Sequence, residues 1–405
     1  MKHFSPYILK AFGALLSIGH LLFALHFLAS EDEKVYFRMI AYANIILMIA
    51  RSSVDFLATF AGAESSVISG RFTIERGFLY IVARGFLLLT FLVGLVLLFG
   101  WGDNSTRFLI VLLPIFLYIS SVTAEFLKGA GFANTAIFIG DILPSLPVLI
   151  LIVGYVLDAK FGIDSFVMVY LAGSFLAAVY SCFYLLIFGS LVTTGVVFKG
   201  ISPSKSMSSL LLSNILSGPG IRHSSIVFMS YLVSGQAFSL FVLTQRMLTQ
   251  YRMILTVVET VYVRGLLNKI RDLGHFSLDK NYWRIARLSL LISIGACAAV
   301  SIASTYILDF AGIYGPGYLV IFIVSNVVFA LSGFFVSARK VAFYLLPNRK
   351  IIGISIILFV LYFSGQSLFV VFNKTSLTGL WLSSYIFIQG ATFLWAAMVA
   401  RKEIH

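Results

Sequence analysis

A helix needs about 20 mostly apolar residues to cross a hydrocarbon core, and runs of that length follow one another along this chain with only short polar turns between them. Their positions predict spans at residues 8–29, 36–61, 78–100, 108–127, 134–156, 166–188, 207–233, 236–262, 286–308, 318–335, 351–372 and 380–399, about twelve in all. Composition points the same way. Hydrophobic residues make up 60% of the chain and charged ones 11%, with a mean hydropathy of +1.00, against about 45–50% and about 25% in soluble domains. The first run is too long for a signal-peptide core and lacks a clear small-residue cleavage site, so it reads as the first span.

The net charge of +13 would suggest nucleic acid in a soluble protein. Here the cations gather in alternate loops, as the positive-inside bias predicts, and no nucleic-acid partner is expected. With the N-terminus inside, the inner loops carry Lys2, Lys10, Arg71, Arg76, Lys128, Lys199, Lys205, Arg264, Lys269, Arg271, Lys280, Arg284, Arg287, Arg339, Lys340, Arg349, Lys350, Arg401 and Lys402. The outer loops carry Lys34, Arg38, Arg107, Lys160 and Lys374, beside the acidic run Glu31-Asp32-Glu33. Both termini are then cytoplasmic, and the span count is even. The expected architecture is an all-α polytopic membrane protein. The stretches 1–200 and 201–405 would each form a six-helix bundle, the two meeting at a central cavity. A repeat hint supports the two halves: residues 99–120 and 310–331 each read as a span end, a Gly-containing turn and a new span.

Chemistry of the enzymatic kind is hard to find. The outer loops are short, with no room for an extracytoplasmic catalytic segment. There is no Walker-type phosphate loop, no Cys/His cluster with zinc-ligand spacing, and no cofactor motif. Cys182 and Cys297 lie in apolar runs and read as small hydrophobes. Asn104-Ser105-Thr106 and Asn373-Lys374-Thr375 match a glycosylation acceptor, a pattern common by chance.

Ionisable groups within spans are costly and tend to face a partner or a cavity. They are Arg51 and Asp55 in span 2, Arg84 in span 3, Glu125 in span 4, Asp141 in span 5, Arg222 and His223 in span 7, and Arg246, Arg252 and Glu259 in span 8, with His20 and His26 weaker cases. Counting helical rise, Arg246 lies ~15 Å from its outer span end and Arg222 ~22 Å from its inner one, while Arg84 and Asp141 lie ~10 Å from the inner end and can snorkel. Arg51 and Asp55 share a helix face at i,i+4 and can pair; the pair serves either packing or an anionic group or coupling cation. Arg252 and Glu259 also share a face, near the interface. Gly218-Pro219-Gly220 would break span 7 just before Arg222. This is a hinge, and the arginine beside a half-helix N-terminus suits an anion.

Several stretches together resemble the polysaccharide transporter family of Wzx-type O-antigen flippases, within the multidrug/oligosaccharidyl-lipid/polysaccharide exporter superfamily. They are RSSVDFLATFAGAESS (51–66), FLKGAGFANTAIFIGDIL (126–143), SIVFMSYLVSGQAFSLFVLTQRMLTQYRMIL (225–255) and ILDFAGIYGPGYLVIFIVSN (307–326). The chain departs from that family where residues 225–230 lack the acid often found late in span 7, and where Ser234-Gly235-Gln236 replaces a Gly-x-Tyr type turn. The resemblance implies a non-enzymatic flippase of the bacterial inner membrane. It would carry an undecaprenyl-diphosphate-linked oligosaccharide to the outer leaflet for O-antigen, capsule or exopolysaccharide synthesis. A glycan polymerase and a chain-length regulator are implied as possible partners. Arg222 and Arg246, then Arg51 and Arg84, would contact the anion, and Asp55, Glu125 and Asp141 would couple an ion or proton. The alternatives are a cation-coupled multidrug or toxin antiporter of the same superfamily, a membrane-embedded glycan polymerase, and a non-transporting scaffold.

Overall fold

The computed structural model describes residues 5–51, 54–65, 67–68, 71–98, 104–192, 216, 219–233, 235–251, 255, 280–335, 338 and 346–404. Among them, eight helices are long and apolar enough to cross a membrane, nine if the bent pair at 133–156 is one span. They coincide with nine of the expected spans. Span 2 is helical on both sides of residues 52–53. The beginning of span 7 and the end of span 8, with Gly218, Arg252 and Glu259, lie outside the described residues.

The chain divides into two compact units. The first takes α1 up to His20 and then the chain from Val35 through the elements that follow, to residue 192 among those described. α1 (Ser5–Phe27) and α2 (Ser30–Arg51) form a hairpin, and α3 (Val54–Glu64) follows. α4 (Arg76–Leu98), α5 (Asn104–Ala130) and α8 (Ile163–Phe188) are long apolar helices. α3 lies along α5, where Gly62 sits so close to the Phe126 carbonyl that no side chain would fit. Between α5 and α8 the chain does not form the continuous span expected for 134–156. α6 (Ala133–Ile137) runs into a π-helical turn at Phe138–Ile142 and a 3-10 turn at Leu143–Ser145, then resumes as α7 (Val148–Val156) after a 40° bend. Pro144 and Pro147 remove two backbone donors at the bend. Span 5 is therefore broken as well, while in span 7 a helix starts at Pro219, with residues 217–218 outside the described residues.

The all-α expectation also needs correcting. β1 (Val67–Ile68) and β2 (Arg71–Glu75) pair antiparallel, and β2 pairs in parallel with β3 (Gly189–Val192), with Phe72 opposite Gly189 and Glu75 opposite Val192. Phe72 is fully buried among the rings of Phe126, Phe132 and Tyr184. The strands satisfy backbone groups where α3 and α8 stop and α4 begins.

The second unit takes residues Leu21–Lys34, the tip of the α1–α2 hairpin, together with the helices from residue 216 onward. These are α9 (Pro219–Leu232), α10 (residues 236–251), α11 (Lys280–Phe310), α12 (Pro316–Ser332), α13 (Asn348–Val371) and α14 (Thr378–Ile404). Starts are marked by proline, which is preorganised for a first helical turn: Pro219 opens α9 and Pro316 opens α12, the latter after Gly315 at φ 130°. α12 packs on α11 and α14, and Trp381 of α14 donates to the Tyr362 carbonyl of α13 at 3.0 Å. In the hairpin tip, Phe23 packs edge-on against Phe310, and His26 stacks on the same ring.

Candidate functional site

In the first unit, ionisable groups converge at the end where α1 begins, α2 and α5 finish, and the π-helical turn lies. Arg51 grips Asp55 in a two-point pair, Nε to Oδ1 at 3.0 Å and Nη2 to Oδ2 at 2.9 Å, across the junction of α2 and α3. Thr59, one turn further along α3, donates both to the Asp55 carbonyl at 3.0 Å and to Oε2 of Glu125 at 3.2 Å. Lys128 of α5 donates to the other Glu125 oxygen at 2.5 Å. Lys10 of α1 pairs with Asp141 of the π-helical turn. That approach is close because Gly13, on the next turn of α1, leaves room: a Cβ there would stand 3.3 Å from the Asp141 Cβ. The pairs also act on one another, Lys10 on Lys128 and Glu125, and Asp55 on Glu125 and Lys128. Three cations thus face three carboxylates and neutralise one another.

The sequence-based candidates Arg51, Asp55, Glu125 and Asp141 therefore share one network. Arg84 stands apart, exposed on α4. Two members escape the sequence reading. Lys10 and Lys128 read there as inner-loop cations, yet Lys10 is 3% exposed. Lys128 carries a readable signal, since it lies three residues after Glu125 on one helix face. Lys10 carries none, because its partner is distant in the chain. The Asp141 turn is a π-type interruption, a form often found at functional positions.

In the second unit, Pro219 and Gly220 open α9, and Arg222 and His223 fall in its first turn. A cation there opposes the helix dipole, an arrangement that favours a bound anion. Arg222 donates to Thr249 Oγ1 at 3.2 Å, and Thr249 in turn donates to the Gln245 carbonyl at 2.9 Å. His223 is within electrostatic reach of both Arg222 and Arg246. Thr244 and Gln245 are buried, and so, on α13 and α14, are Tyr362, Gln366 and Gln389. Thr244, Gln245, Gln366 and Gln389 each have a side-chain atom without a hydrogen-bond partner among the described residues. No set of three or more His, Cys, Asp or Glu side chains among the described residues is placed to hold a metal.

No family model matches the chain, and no curated protein matches it significantly in sequence. Solved structures do match, over nearly its whole length. An outward-facing multidrug resistance MATE family transporter of the MOP superfamily aligns at a TM-score of 0.59 and 14% identity, covering 99% of this chain and 95% of that one. The MATE multidrug transporter DinF-BH aligns at 0.63 and 11%, covering 97% and 92%. A MOP superfamily transporter from Pyrococcus furiosus, for which a reversed polarity of the binding pocket suggests a different function, aligns at 0.57 and 14%, covering 98% and 95%. The chain therefore has the fold of the MATE transporters of the MOP superfamily.

Proposed function

We propose that this chain is a non-enzymatic membrane transporter, and that its cargo is an undecaprenyl-diphosphate-linked oligosaccharide moved from the cytoplasmic to the outer leaflet of a bacterial inner membrane. The observation that carries this reading is that Arg222 and Arg246 both act electrostatically on His223 in a chain of MATE fold. A diphosphate cannot enter hydrocarbon unaided, and arginines, one of them in the first turn of α9, offer it charge-assisted bonds. An inside-negative potential would favour its outward movement by about 2.3 kcal/mol per charge per 100 mV. In this reading twelve spans form two six-helix bundles, 1–200 and 201–405, with both termini cytoplasmic and a central cavity opening alternately to each side. A glycan polymerase and a chain-length regulator would receive the product.

Arg51 and Arg84 are the secondary anion contacts. Asp55 holds Arg51 and Glu125 holds Lys128, so a proton taken by either carboxyl would free a cation to meet the anion. Asp55, Glu125 and Asp141 are in this way the coupling groups.

The test is reconstitution with lipid-linked glycan and a count of the lipid on each leaflet. Arg222→Ala and Arg246→Ala are each expected to lower the flipping rate about tenfold or more, the weight of one charge-assisted bond. Unchanged rates in both would remove the anion site. A second reading, a cation-coupled multidrug antiporter, is favoured by the neighbours described as multidrug transporters. It predicts uptake of organic cations by the same vesicles and no leaflet change in the glycan lipid.

A further inference from the structure

Glu33 is buried in the second unit and plays no part in either group described above. Its sequence context, Ser30-Glu31-Asp32-Glu33, fits a capping box, in which the glutamate would turn back to the helix start and remain near water. The side chain does otherwise. It is 5% exposed, and its Oε2 accepts a hydrogen bond from Ser239 Oγ of α10 at 3.0 Å. Its Oε1 is buried with no partner among the described residues. An ionised carboxylate can accept at both oxygens, and leaving one unmet in a buried place is costly. The neutral acid fits better. It can donate to Ser239, whose own hydrogen then turns to the Gly235 carbonyl 3.4 Å away.

The surroundings offer little to hold a negative charge. Among the described residues, Lys34 is the charged group that acts on Glu33, and its ammonium is engaged by Glu31 at 2.8 Å. Asp32, on the same turn, is exposed. From α1, His26 directs Nδ1 to the Phe310 carbonyl at 2.8 Å. Asp309 at the end of α11 is exposed.

We propose that Glu33 is a proton-binding site: with its proton it docks the α1–α2 hairpin tip on the Ser239 face of α10, and without it the carboxylate leaves that face for water. On the orientation proposed above this is the outer face, so the site would take its proton from outside. As the coupling proton of transport it rests on the transporter reading; as a titrating latch it does not.

Burial, opposed by the Ser239 bond and by Lys34, lifts the carboxyl from 4.5 to about 7. The raised value means that the docked tip binds the proton more tightly than the free tip. Docking is therefore favoured fully below about 4.5 and is lost as pH rises through about 7.

The experiment uses the full chain in lipid nanodiscs without substrate, with Cys182→Ser, Cys297→Ala and a spin label at Ala29→Cys, an exposed position on the tip. The label's mobility is followed from about pH 5 to about pH 9, alongside the infrared band of protonated carboxyl groups. The expected result is a rise in mobility, and loss of one carboxyl band, centred near pH 7. Glu33→Gln, which mimics the neutral acid, should stay immobile at every pH and lack the band. Glu33→Asp should restore a step. No step in the parent, or a step that survives in Glu33→Gln, overturns the proposal. Failure of transport with the titration intact would instead remove the transporter reading alone.

Discussion

The two units bury polar groups by opposite rules. In the first, charge answers charge: Lys10 with Asp141, Arg51 with Asp55, Lys128 with Glu125. In the second, Thr244, Gln245, Gln366 and Gln389 are buried and keep atoms without partners among the described residues. A neutralised network holds helices in place and resists change, because removing either member leaves a buried charge. A surface of unmet donors and acceptors costs free energy until something binds it. The contrast suits a division in which one unit is braced and the other is ready for a polar cargo.

That contrast can be broken by substitution, and the largest effect is expected at its most buried pair. The side chains of Lys10 and Asp141 are 4% and 17% exposed. Lys10→Met would strand Asp141 and lower unfolding stability by about 3 kcal/mol, while the double variant Lys10→Met/Asp141→Asn should recover most of it. Denaturant unfolding in mild detergent reads this; equal losses in single and double variants would mean that the pair braces nothing. A smaller loss, about 2 kcal/mol, is expected for Asp55→Ala, because Arg51 and Asp55 are 25% and 32% exposed and water can reach the stranded guanidinium. The smallest effect, opposite in sign, belongs to the second unit. Gln366 is fully buried with both amide atoms unpartnered among the described residues. Gln366→Leu should therefore be neutral or stabilising by up to about 1 kcal/mol. A clear loss of stability there would show that water or cargo already satisfies the amide, and the contrast between the units would narrow.

Much of this is legible from the chain alone where the interaction is local. Hydrophobic run length places the nine spans found among the described residues. The i,i+4 spacing of Arg51 and Asp55 forecasts their pair, and Pro219 forecasts a helix boundary. The same local reading goes astray in span 5. Pro144 and Pro147 interrupt 134–156, but its hydropathy is unbroken, and hydropathy says nothing of backbone geometry. Glu33 reads in the sequence only as an acid in an outer turn.

What the sequence by itself determined was the set of apolar helices and their bilayer habit, because run length and helical period are written in neighbouring residues. Tertiary structure alone decided which distant groups meet. It brought Lys10 to Asp141, Phe72 to Gly189 in a parallel ladder, and Glu33 to Ser239 across 206 residues. Such pairings depend on how whole helices pack, so the energy that selects them is spread over many contacts and leaves no mark in the spacing of the residues that finally touch.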